Sequence, residues 1–224
     1  MATISIDYHS SGDVELILQE KEYVRLDQAT DQASPSSEER KAAMYNVGLL
    51  DVKVKEVHLR VSSLRLVSSS PYFRAMLEDS RFPEGIELKE HGFVQIQLSE
   101  PEDEPTAMMI ILGVLYEKDV QLPTKIDLPT LHKVAVLVDK YQWHVPITPY
   151  AVLWFDGLAN NEGFPKSFDG STLMWLWIAW LFGMKDHFKS VSKIAQQDAR
   201  NSIDPTQEGI RLPTSIIGKL FHFS

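Results

Sequence analysis

The chain has 224 residues, 44% hydrophobic and 24% charged, the proportions of an ordinary folded globular protein rather than a disordered one. Its formal net charge of −9 opposes phosphate backbones and anionic lipids, and no local basic patch offsets it, so neither nucleic acid nor membrane is an expected partner. The absence of cysteine excludes disulfide scaffolds, thiolate zinc sites and cysteine nucleophiles, and fits an intracellular location, cytoplasmic or nuclear.

The N-terminal residues show no basic region followed by an apolar run, so no secretory signal is expected. After a Gly-Asp turn, Val14, Leu16 and Leu18 alternate as one face of a strand that can extend to Tyr23 and Val24. Residues 27–46 are polar, serine-rich and weakly periodic, the composition of a mobile insertion. Alternation resumes with Leu50, Val52 and Val54 and again with Val57, Leu59 and Val61. The change of phase predicts a bulge or turn near Lys55-Glu56.

Ser62 or Ser63 supplies a hydroxyl cap for a helix of about two turns, with Leu64, Val67 and Ser68 facing inward. Ser68, Ser69 and Ser70 interrupt that helix, and Pro71 suits the first position of a second one. There Tyr72, Phe73, Met76 and Leu77 form a broad apolar face that requires burial. Residues 81–85 then read as a loop and 93–98 as a third strand.

In the acidic segment 99–105, Glu104 precedes Pro105 and places negative charge at a helix start, where the backbone dipole favours it. That helix carries Met108, Ile111, Leu112, Leu115 and Tyr116 on one face. The next begins at Asp127, with Pro129 in its first turn and Leu131, Val134, Ala135, Val138 and Tyr141 inward. Another is expected from Thr148-Pro149, with Val152, Leu153, Trp154 and Phe155 inward. A loop at 160–170 leads to a helix over 171–183 that is apolar all round and must be sandwiched between neighbours or covered by a partner. A more polar helix near 184–201 and a short one after Pro213 serve as those neighbours. Its longest apolar run is about half of a bilayer span.

Sites of chemistry are sparse. No histidine has a second at i+3 or i+4, so no metal site is expected; His58 reads as a surface residue and His132 as solvated. The serines lack a G-x-S-x-G elbow, no phosphate-cradling glycine loop occurs, and Glu100, Glu102, Asp103 and Glu104 read as a solvated connector. Trp175, Trp177 and Trp180 read as core rather than as a ligand box. No catalytic residue and no cofactor is expected, and the chain reads as non-enzymatic.

Strands, a helix pair with a serine break, a further strand and a helical tail make an α+β order. With Gly12-Asp13-Val14, Val57-x-Leu59-x-Val61-Ser62-Ser63-x-x-Leu66 and Ser70-Pro71-Tyr72-Phe73-Arg74-Ala75-Met76-Leu77, it resembles the BTB/POZ domain in the divergent form common among filamentous fungi. Residues 135–141, Trp154 and the segment 177–183 extend the match, while Ser62 stands where animal members usually carry histidine.

The resemblance implies a small mixed sheet flanked by helices. It divides the chain into an N-terminal tail at 1–11, a core at 12–122 and a helical C-terminal extension at 123–224 packed on that core. It also implies protein–protein association, often as a homodimer, with strand addition at an open sheet edge, for which the strand from Val14 is the candidate. Phe82-Pro83-Glu84 has the hydrophobic-x-Glu form of cullin-binding members, which implies an adaptor for a cullin-type ubiquitin ligase contacting Phe82, Glu84, Tyr116, Glu117 and Lys118. A loop phenylalanine packed into the core is the plainer reading of the same residues. The alternative function is a subunit of a transcription-regulating complex acting without direct DNA contact.

Overall fold

A computed structural model describes residues 2–25, 50–117, 122–161, 163–198 and 213, with backbone alone for 2, 21–25 and 50–53. The insertion at 27–46, Lys118 and the helix expected after Pro213 lie outside the described residues.

Four strands form one mixed sheet: β1 (Ala2–Asp7), β2 (Val14–Arg25), β3 (Leu50–Val61) and β4 (Val94–Leu98), in the order β1-β3-β2-β4. β2 and β3 are antiparallel, with Val14 opposite Val61, Leu16 opposite Leu59 and Leu18 opposite Val57. β1 lies parallel to β3 and β4 parallel to β2. Alternation explains the pairing: Val14, Leu16, Leu18, Leu59 and Val61 are fully buried on one face, so a slip of one residue would turn all of them to solvent.

Three expectations for the sheet are corrected. Residues 2–7, read as part of a tail, form β1. The register of β3 runs unbroken through Lys55 and Glu56, so there is no bulge; Val54 lies on the outer face with Glu56 and His58, which is what the change of phase records. The strand from Val14 is not an open edge, because β3 and β4 flank it over 14–18, and β1 and β4 are the outer strands.

Eight helices are present among the described residues: α1 (Ser63–Ser69), α2 (Pro71–Glu78), α3 (Pro83–His91), α4 (Pro105–Leu115), α5 (Leu128–Tyr141), α6 (His144–Asn161), α7 (Gly170–Leu181) and α8 (Lys185–Asp198). Helix α4 packs on β2, α5 and α6, while α7 packs on α5 and α8 on α7. The buried apolar side chains form one continuous cluster from Tyr8 to Ala195. No helix among the described residues is long and apolar enough to cross a membrane.

Several helix boundaries and faces differ from expectation. Residues 83–85 begin α3 rather than closing a loop. Pro83 opens the helix and Gly85 is buried, where a Cβ would approach the carbonyl oxygens of Met76 and Leu77 to 2.9 Å. Helix α6 starts at His144, four residues early, with Pro149 inside it. The lost bond falls beside a turn in which the Thr148 hydroxyl donates to the His144 carbonyl at 2.6 Å. Leu64 is 75% and Leu153 68% exposed, because Leu66 and the Trp154-Phe155 pair occupy the core positions of their helices. His132 is buried against Trp177 rather than solvated, with ring centroids 5.2 Å apart. Of the α7 tryptophans, Trp175 and Trp177 are core, while Trp180 is 38% exposed.

Two carboxylates cap helices, Asp127 at the start expected for α5 and Asp169 at the end of the loop before α7. Asp127 accepts from the Thr130 N–H at 2.8 Å, and Asp169 forms a capping box with Thr172 at the start of α7. Hydrogen bonds from Thr130 hold the Asp127 carboxyl below its ordinary range, and those from Ser171 and Thr172 do the same for Asp169. A depressed carboxyl contributes stability that is present above its unfolded pKa, about 3.9, and is lost as pH falls through its lower folded value. Asparagine caps about as well as aspartate but does not titrate. The double substitution Asp127→Asn/Asp169→Asn is therefore expected to hold its urea midpoint near neutral pH, and to lose less than the parent chain below about pH 4. Superimposable midpoint–pH curves for the two chains would contradict this.

Candidate interaction surface

The serine break seen in the sequence joins three parts of the fold. At its start, α1 is capped from a distance: the Asp13 carboxylate accepts from the Ser63 N–H and hydroxyl, both at 2.6 Å, and the Ser62 side chain makes no cap. Gly12 makes that approach possible, since a Cβ there would stand 2.7 Å from the Val61 carbonyl oxygen. At its end, the Ser70 hydroxyl accepts from the Phe73 N–H at 3.0 Å and donates to the Tyr141 carbonyl at 2.6 Å, fixing α2 to the end of α5.

Helix α2 then buries Phe73 between Tyr141 and Trp143, at centroid separations of 5.2 and 5.3 Å. Tyr72 packs edge-on to Tyr141 at 5.1 Å but remains 36% exposed. Burial pushes the Tyr72 hydroxyl above its ordinary pKa, and the nearby carboxylates of Asp103, Glu84 and Glu100 add to the shift.

Of the connector expected to be solvated, Asp103 is the exception: Glu100 is exposed and Glu102 and Glu104 are half-buried, but Asp103 is buried. The Asp103 side chain is 1% exposed and pairs with Lys140 at 2.8 Å, while the Tyr141 hydroxyl and the Glu100 N–H also donate to it. A buried carboxylate persists when cations and donors satisfy it, and here two of the donors come from α5 and the third from the connector itself. Tyr141 is pushed strongly upward by burial and by its bond to Asp103. Glu104 does cap α4 as expected, accepting from the Ala107 N–H at 2.7 Å. An acidic depression of about 400 Å³ results, lined by Tyr72, Met76, Glu84, Glu100, Glu102 and Tyr141 among others.

Phe82 is the N-cap residue of α3 and is 39% exposed, so it is not a loop phenylalanine packed into the core. Glu84 stands in the first turn of α3, and Ile86, 40% exposed, lies one turn after Phe82. Tyr116 and Glu117 lie elsewhere. The Tyr116 hydroxyl accepts from the Ser62 N–H at 2.7 Å, and its ring packs against Tyr8 and under the Arg65 guanidinium. Burial raises its pKa, with the Ser62 bond and Arg65 opposing. Glu117 has a φ of 52° just after α4 and lines a second depression. The two groups of residues taken from the sequence therefore border different parts of the surface.

Elsewhere, His58 bridges Glu15 and Glu56 at 3.4 and 3.5 Å, and His187 joins Asp156 at 2.8 Å. Among the described residues, no group of three or more His, Cys, Asp or Glu side chains is placed to hold a metal.

The family model for the BTB/POZ domain matches residues 49–149, from β3 into the first turns of α6 and across the boundary expected at 122–123. No curated protein matches the chain. Sheet, serine break and helices agree with that match: residues 49–149 form a BTB/POZ domain, in a fold of α+β class. BTB/POZ domains mediate protein–protein association and are generally non-enzymatic.

Proposed function

We propose that this module is an adaptor that docks a cullin-type ubiquitin-ligase scaffold through the start of α3. The observation that carries the reading is the exposure of Phe82. An aromatic ring 39% exposed at a helix start, one turn from the exposed Ile86 and two residues from the Glu84 carboxylate, combines an apolar anchor with a charge at its rim. The hydrophobic-x-Glu pattern lies between α2 and β4, the place it takes in cullin-binding members of the family.

Burying Phe82 in a partner would add apolar contact at no folding cost, since the ring packs poorly in the free chain. The test is a pull-down of purified cullin N-terminal domains on the full chain. Binding is expected, with Phe82→Ala lowering affinity about tenfold or more and Glu84→Ala adding to the loss. Binding that survives both substitutions would remove this assignment of contacts, and no binding at all would remove the adaptor role.

A further inference from the structure

A second surface depression, of about 880 Å³, separates α1 and the start of α2 from the start of α6. Its walls include Pro71, Val114, Leu115, Pro146 and Tyr150, and Val145, 89% exposed, stands at its rim. Two guanidiniums line it. Arg65 is held over the Tyr116 ring at 5.9 Å, and Arg74 is held by a bond from its Nε to the Val67 carbonyl at 3.2 Å, which leaves its terminal nitrogens for another acceptor. One carboxylate, Glu117, lines the same groove.

The charge contrast matters because the chain as a whole carries −9 and the neighbouring depression is lined by Glu84, Glu100 and Glu102, with Asp103 there paired to Lys140. The net charge of the chain opposes an acidic segment, and the arginine-lined groove attracts one. Oriented guanidiniums pair with carboxylates more strongly than neutral donors do. The apolar walls require more than charge: covering Val145 and Tyr150 calls for bulky aliphatic or aromatic side chains beside the acids.

We infer that this groove binds a short acidic and apolar peptide segment of a partner protein. The inference rests on the interaction-module reading, but not on the cullin contacts at Phe82 and Glu84.

The test pans the full chain against a display library of short random peptides and measures the enriched peptides by fluorescence anisotropy. Enriched sequences are expected to combine Asp or Glu with Leu, Ile, Val or Phe. Their affinity is expected to fall about tenfold or more on Arg65→Glu/Arg74→Glu, to be largely kept by Arg65→Lys/Arg74→Lys, and to be unchanged by Phe82→Ala. No enrichment, enrichment of basic peptides, or affinity indifferent to charge reversal overturns the inference. Peptides whose binding is lost with Phe82→Ala and Glu84→Ala instead would leave the module reading intact and remove the groove from it. Light scattering adds one more outcome: a dimer broken by Arg65→Glu/Arg74→Glu would make a second copy the occupant, and the inference would fall.

Discussion

Replacing Asp103 with alanine is expected to lower the unfolding free energy by about 3–5 kcal/mol, because it removes one member of a buried ion pair and strands the others. The Asp103 side chain is 1% exposed and that of its partner Lys140 19% exposed. The lost interactions are the ion pair at 2.8 Å, the bond from the Tyr141 hydroxyl and the one from the Glu100 N–H. Tyr141 is 1% exposed, and its carbonyl also receives the Ser70 hydroxyl, so the connector before α4, the end of α5 and the serine break loosen together. Lys140 can turn toward water, which favours the lower end of the range. Asp103→Asn keeps an acceptor for Tyr141 and loses the charge, so it is expected to cost less, about 1–2 kcal/mol. Urea titration at neutral pH measures both. For a chain of this length a loss of about 3 kcal/mol also lowers the melting temperature by about 6–12 °C. A loss under about 1 kcal/mol for Asp103→Ala would mean that the segment is solvated after all, as its run of acids and prolines implies when the sequence is read alone.

Asp103 illustrates what a single sequence shows and what it withholds. Features whose cause is local were legible. The alternation at 14–18, 57–61 and 94–98, the Ser70-Pro71 helix start, and the Glu104 and Asp127 caps each depend on residues within four positions of one another. Features that depend on distant partners were not. The acid run looks hydrophilic because Lys140 and Tyr141 lie 37 and 38 residues away, and the cap of α1 reads as Ser62 or Ser63 because Asp13 is 50 residues from Ser63. Helix α3 shows no apolar stripe, since its buried position is Gly85, chosen by the carbonyls of α2 that it approaches. Strand β1 is six residues long and acquires its identity by lying along β3, a parallel pairing that short-range pattern cannot signal. The same division applies to the surface. Phe82 was legible as a motif, but its exposure was not, and the groove of Arg65 and Arg74 is assembled from segments separated by up to 85 positions.

Trp177→Ala is expected to lower stability by about 3–5 kcal/mol and to do so across the whole chain rather than in the C-terminal helices alone. Trp177 is 1% exposed in the middle of α7, its ring edge-on to His132 of α5, and α7 is otherwise buried at Leu173, Trp175, Leu176, Ile178 and Ala179. Because α5 and α7 share one continuous apolar cluster with the sheet, a cavity at Trp177 removes contacts from the BTB/POZ half as much as from the extension. The indole N–H has no hydrogen-bond partner among the described residues, so no bond seen there is lost with it. Trp177→Phe removes that group while keeping most of the ring, and is expected to stay within about 1 kcal/mol of the parent. Native-state hydrogen exchange gives the decisive readout. One cooperative unit requires the amides of β2 and β3 to lose protection in step with those of α7 and α8 when Trp177→Ala is introduced. Loss confined to α7 and α8, with the sheet unchanged, would make the extension a separate folding unit resting on the BTB/POZ domain, and the large global cost expected here would not appear.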